Sequence, residues 1–91
     1  MPKYIIERNM PGAGNVPLEG HKGGARNSLK VLGEMGTGIQ WVESFVTEDK
    51  VYCVYIAPNK EAIKEHSKKA GIPADRISEV SRVIDPTTAE G

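Results

Sequence analysis

The stretch from Ile39 to Pro58, IQWVESFVTEDKVYCVYIAP, constrains the fold of this chain more than any other. Two runs rich in β-branched and aromatic residues flank a polar turn, Thr47-Glu48-Asp49-Lys50, which is the pattern of a β-hairpin. A two-residue loop at Glu48-Asp49 pairs Val46 with Val51, Ser44 with Cys53 and Val42 with Tyr55. Between them fall the pairs Phe45–Tyr52, Glu43–Val54 and Trp41–Ile56. Glu-Asp suits a type I′ turn poorly, which leaves a longer loop in a shifted register open. In the first register Trp41, Glu43 and Phe45 project from one face. Both faces are largely apolar, whereas a strand pair with one side in water alternates more cleanly. Helices are expected to cover one face, and a second copy of the chain the other.

The flanking segments supply the rest of a small domain. Lys3 to Arg8 reads as a strand, with Tyr4, Ile6 and Arg8 on one face and Lys3, Ile5 and Glu7 on the other. Breakers at Asn9-Met10-Pro11-Gly12 end it, and a loop runs on to Pro17. Ala25, Leu29, Leu32 and Met35 recur at helical spacing before Gly36 and Gly38. Gly20, Gly23 and Gly24 each cost ~1 kcal/mol against alanine inside a helix, so a regular helix is predicted only from about Ala25. After the hairpin, Asn59 is a predicted N-cap, Ala62, Ile63, His66 and Ala70 form the inward stripe, and Gly71 with Pro73 stop the helix. Arg76 to Ile84 reads as a last strand, and residues 86–91 as a frayed tail. The order β-α-β-β-α-β predicts one α+β domain of ferredoxin-like plan over residues 1–91: a four-stranded antiparallel sheet with two helices on one face.

Composition removes several classes of function. Twelve basic and twelve acidic side chains cancel, so no electrostatic footprint for nucleic acid is present. The basic run Lys64 to Lys69 is interrupted by Glu65 and His66 and reads as a solvated helix face. No apolar run approaches the ~18 residues of a membrane span, and the N-terminal segment lacks the pattern of a signal peptide. The one cysteine, Cys53, has no internal disulfide partner and reads as a small buried hydrophobe. A cytoplasmic location is expected.

Few residues invite chemistry. His66 falls on the inward stripe of the second helix, where an aliphatic residue would serve packing, and is either a hydrogen-bonded core histidine or a metal or substrate contact. His21 sits among glycines and reads as solvated. Glu43 projects among aromatic residues, and a carboxylate there needs an ion pair (Arg8, Arg76 or Arg82 being candidates) or a bound group. No HxxxH, CxxC or HExxH occurs, so any metal site must be assembled in space from histidine and carboxylates, which suits nickel or zinc. Gly12 and Gly14 follow a strand but lead into Pro17 and no immediate helix, which argues against a dinucleotide site. Ser28, Ser44 and Ser67 lack the glycine elbow of a nucleophile.

Three blocks carry a family resemblance: YIIER followed by PG, WVESFVTEDKVYCVYIAPN, and EAIKEHSKKAGIPADRISEV followed by IDPTT. With them the chain resembles domain-of-unknown-function family 4242, a group of small bacterial proteins some of which bind nickel. The glycines between Asn15 and Arg26 depart from the regular helix start usual in that family. The resemblance implies a ferredoxin-like dimer and Ni(II) binding. His66 lies in a well-matched block, while at Glu43 many relatives resemble one another in carrying histidine. The reading that follows is a cytoplasmic, non-catalytic homodimer, joined through a Trp41/Phe45/Tyr52 face, with His66, Glu43 and Glu7 as ligands to nickel. Its alternatives are a small enzyme of the dimeric α+β barrel monooxygenase type and a ligand-free interaction or regulatory module. An enclosed apolar pocket between sheet and helices, with His66 or Tyr55 at its wall, would favour the enzyme.

Overall fold

Along β1 (Lys3–Asn9) the alternation seen in the sequence is the alternation of burial: Tyr4, Ile6 and Arg8 are buried, and Lys3 and Ile5 are exposed. The structure, a computed structural model, describes residues 1–90. After β1 come α1 (Leu18–Met35), β2 (Gln40–Val46), β3 (Lys50–Ile56), α2 (Lys60–Ala70) and β4 (Arg76–Glu79), with 3-10 turns at Ala13–Asn15 and Pro86–Ala89. The sheet is antiparallel in the order β2-β3-β1-β4, so the two strands that carry the buried residues, β3 and β1, are central. Tyr4, Ile6, Val51, Cys53 and Tyr55 meet Leu32 of α1 and Ile63 of α2 in one core. This is the expected α+β, ferredoxin-like arrangement.

The hairpin keeps the expected pairs from Val46–Val51 to Glu43–Val54 and then departs from them. A bulge at Val42 places Trp41 opposite Tyr55 and Gln40 opposite Ile56. One extra residue reverses the facing of everything before it. Trp41 therefore packs on the core side, and the expected Trp41/Phe45/Tyr52 face is corrected to one of Phe45 and Tyr52 without Trp41. The tight turn survives its unfavourable Glu-Asp because Thr47 closes it. The Thr47 amide and hydroxyl both donate to the Lys50 carbonyl, at 2.8 and 2.9 Å, and Thr47 Oγ1 accepts from the Lys50 amide.

Helix α1 starts at Leu18, seven residues before the predicted onset. Pro17 is its N-cap, and its carbonyl accepts from the Gly20 and His21 amides. A Cβ at Gly20 would lie 2.6 Å from Val16 Cγ1, and the exposed Val16 side chain would have to turn away to admit it. The buried stripe is Ser28, Val31 and Leu32, while Leu29 is 57 % exposed. A serine inside the stripe hid its true phase. Helix α2 follows its expected caps: Asn59 Oδ1 accepts from the Ala62 amide at 2.9 Å, and Gly71 turns left-handed at φ 70°. Ser67 joins Ile63 and His66 in its buried set.

β4 stops at Glu79 rather than Ile84, because its partner β1 begins at Lys3 and leaves no further strand to pair with. Beyond Val80, whose amide still donates to the Lys3 carbonyl, Val83 and Ile84 are each 70 % exposed. Within the expected tail, Asp85 caps the Pro86–Ala89 turn by accepting from the Thr87 amide. The tail's last residue, Gly91, lies outside the described residues.

The 3-10 turn after β1 is seated directly on the hairpin turn. The Gly14 amide donates to the Glu48 carbonyl at 2.9 Å, and a Cβ at Gly14 would come within 2.9 Å of Glu48 Cα. Backbone cannot yield as a side chain can, so Gly14→Ala is expected to lower stability by about 1–3 kcal/mol. Denaturant unfolding measures this, and an unchanged midpoint would contradict the close seating.

Candidate functional site

β1 carries an arginine into the apolar layer. Arg8 is 2 % exposed and forms no salt bridge among the described residues. Its Nε donates to Cys53 Sγ at 3.3 Å, and its Nη1 donates to Ser67 Oγ at 3.0 Å and to the Pro73 carbonyl at 2.6 Å. Nη2 is buried with no partner among the described residues. The network runs on through Cys53, which accepts from Ser44 Oγ at 3.0 Å, to Trp41 Nε1, which donates to Ser44 Oγ at 2.9 Å. A guanidinium without a counter-charge in such surroundings is expensive, because buried cations are normally paired.

A second polar chain crosses the same layer. His66 is fully buried on α2, with Nε2 at 3.2 Å from Ser28 Oγ, and Ser28 Oγ is 3.3 Å from the Tyr55 hydroxyl. The Tyr55 and His66 rings lie 5.4 Å apart and tilted. His66 Nδ1 has no partner among the described residues. Burial holds the His66 pKa below its ordinary value; the Ser28 contact opposes this and the Arg8 charge adds to it. Burial likewise pushes the Tyr55 phenol up, against its bond with Ser28.

The His66 shift has a sign that can be tested. A histidine kept neutral in the fold lets the unfolded chain bind a proton first, so stability is whole above the unfolded value of ~6.5. Below it, stability is lost by up to about 1.4 kcal/mol per pH unit until the depressed folded pKa is reached. His66→Gln is expected to flatten the difference in stability between pH 7 and pH 5. Urea unfolding at both values measures it, and equal slopes in the two proteins would contradict a buried neutral imidazole.

Between α1 and the sheet lies a cavity of ≈ 310 Å³. Trp41, Val51, Cys53 and Tyr55 form its floor, Gly20, Gly24 and Ser28 its helical wall, and Arg8 stands at its margin. None of its lining residues carries a carboxylate. Tyr55 stands at its wall, as the enzyme reading requires, but the cavity is half open to solvent and not the enclosed pocket that reading called for. Cys53 is buried and free, as expected.

The three expected metal ligands do not converge. His66 is on the helix side of the sheet, while Glu7 and Glu43 face the opposite side, in register with Tyr52 and Val54. Glu7 and Glu43 are themselves two strand spacings and two residues apart, roughly 12 Å between Cα atoms at ordinary sheet dimensions. Lys50 Nζ lies 3.4 Å from Glu7, whereas Glu43 has no ion pair among the described residues and lines a groove with Ile5, Val54 and Arg82. Arg8, a candidate partner for Glu43, is on the other side. No cluster of three or more His, Cys, Asp or Glu suited to a metal occurs among the described residues. The His66 side fits a cation badly, because the Arg8 charge faces the same layer.

What the sequence missed is the Arg8–Cys53–Ser67 and His66–Ser28–Tyr55 networks. The signal for the first was present in β1, whose alternation puts Arg8 on the face of Tyr4 and Ile6. The serines gave none.

A family model described as "Nickel responsive protein SCO4226-like" matches residues 4–80. It shares the nickel connection of the resemblance drawn from the sequence blocks, under a different family name. No curated protein matches the chain. The crystal structure of SCO4226 from Streptomyces coelicolor A3(2) superposes with a TM-score of 0.76 at 20 % identity, covering 90 % of this chain and 99 % of that one. At that identity the likeness speaks for the fold.

Proposed function

This chain belongs to the SCO4226-like family of nickel-responsive proteins, and from that premise we propose that it is a small, non-catalytic nickel-binding protein acting as a cytoplasmic homodimer. The observation that carries this reading is the open face of the sheet. Ile5, Val42 and Phe45 are exposed there, Phe45 by 53 %, and Val83 and Ile84 border the same groove as Ile5 and Val42. An apolar face of this kind suits a partner surface better than water. Among its apolar residues stands Glu43 without an ion pair, and a second copy laid over the face would strip its carboxylate of water. Lys3 and Arg82 line the same groove, and a bound cation competes with them to satisfy it.

Among the described residues one subunit brings no three metal donors together, so the site needs two subunits. An isologous interface repeats every residue, and Glu43 from each subunit supplies the oxygens, with Glu7 as a second contributor once Lys50 is displaced. His66 takes no part, being on the far side of the sheet. An oxygen donor set of this sort ranks Ni²⁺ above Mn²⁺ and Co²⁺ and below Cu²⁺. Sedimentation velocity of untagged protein, with and without nickel, tests the reading. A dimer tightened by nickel is expected, and a monomer at all concentrations with nickel present would end it.

The cavity beneath α1 favours a second reading, a small enzyme of the dimeric α+β barrel monooxygenase type. In it the Tyr55 hydroxyl, joined through Ser28 to His66, would face the substrate. Turnover lost in Tyr55→Phe with nickel binding kept would establish it; no dioxygen uptake with apolar substrates would remove it. Fold alone does not choose between these.

A further inference from the structure

The cavity between α1 and the sheet lies across the sheet from the proposed metal face, and nothing in nickel binding accounts for it. We propose that it binds a small monocarboxylate with an apolar body, its carboxylate held by Arg8. Three observations carry this. Arg8 is 2 % exposed, has no carboxylate partner among the described residues, and keeps Nη2 unbonded while its other nitrogens are anchored to Cys53, Ser67 and Pro73. A guanidinium fixed through Nε and Nη1, close to the Tyr55 hydroxyl and with Nη2 left unpaired, is a pre-organised anion receptor. The cavity of ≈ 310 Å³ is in the lower range of small-molecule sites and offers no acidic side chain that could neutralise Arg8 instead.

The remaining wall sets the ligand's class. Trp41, Met10, Val51 and Ile72 give it an apolar surface, which calls for a ligand with an apolar body. Arg8 is the one permanently charged side chain of a lining that also includes the His21 imidazole, and with His66 held neutral by burial behind Ser28 it balances one negative charge. A dianionic phosphate would leave charge unmatched in that setting. The glycines of α1 take on a purpose here. Gly20 and Gly24, one turn apart, both line the cavity, and a Cβ at Gly24 would meet nothing within 4 Å. These positions weaken a helix relative to alanine, and they leave bare backbone against which a ligand can lie.

Calorimetry on the purified full chain tests the proposal with octanoate and 1-naphthoate as probes, and with 1-naphthamide and inorganic phosphate as controls. At least one carboxylate is expected to bind, with the amide and phosphate tenfold weaker or worse. Arg8→Met is expected to weaken the carboxylate at least tenfold, in line with loss of a charge-assisted hydrogen bond. Gly24→Leu fills the space without touching Arg8 and is expected to do the same, which keeps the test decisive if Arg8→Met fails to fold. Glu43→Gln should bind the carboxylate as the parent does, so failure here and failure of the nickel reading are separable. Equal carboxylate affinity in the parent and in either cavity variant would overturn the proposal. So would equal or tighter binding of the amide or phosphate, or no carboxylate binding at millimolar concentration.

Discussion

Phe45→Lys is expected to convert the proposed dimer into monomers, weakening association on the order of a thousandfold. Phe45 is 53 % exposed on the edge strand β2 beside the hairpin turn, cross-strand from Tyr52, and no element among the described residues covers it. A buried aromatic anchor is worth about 2 kcal/mol or more at an interface. An isologous interface loses it twice, and about 4 kcal/mol is roughly a thousandfold in the dissociation constant. The lysine leaves the monomer's own stability nearly unchanged, since surface substitutions cost within about 0.5 kcal/mol. Sedimentation equilibrium of the two proteins checks this, and an unchanged dimer would place the interface elsewhere.

The second large effect separates adjacent residues of one strand. Ile6 is fully buried between β3 and β4 on the helix side, and Ile5 is 40 % exposed on the open side. Ile6→Ala removes core atoms that the surrounding sheet cannot replace, and is expected to cost about 2–5 kcal/mol. For a domain whose whole stability is about 5–15 kcal/mol, that is a large fraction. Ile5→Ala is expected to cost the monomer under about 1 kcal/mol and to weaken dimerisation instead. Urea unfolding at concentrations where the subunits are separate tests the pair. Similar losses for both would contradict the division of the sheet into a core face and a partner face.

Much of this was legible in the chain. Alternation in β1, the caps Asn59 and Gly71, and the pairs from Val46–Val51 to Glu43–Val54 are local features, and local features are written in sequence. The bulge at Val42 was not, because one extra residue leaves no mark in a run where both faces are apolar, and it alone moved Trp41 from one side of the sheet to the other. The early start of α1 was hidden for a different reason. Propensity argued against Gly20, Gly23 and Gly24, and the burial of Ser28, Val31 and Leu32 further along the same helix overrode it. At the candidate site, His66 was correctly placed on an inward stripe, but the stripe of a helix does not say which side of a sheet other residues face. Glu7 and Glu43 were read beside it and lie across the sheet from it. Arg8, read as a candidate partner for Glu43, is a buried charge on the other side of the sheet, at the margin of the cavity.

The division into two faces is tested most directly by nickel titration of untagged protein, followed calorimetrically for the parent, Glu43→Gln and His66→Ala. One nickel per dimer is expected in the parent, lost in Glu43→Gln and retained in His66→Ala. Nickel retained in Glu43→Gln and lost in His66→Ala would put the metal on the helix side and contradict the account.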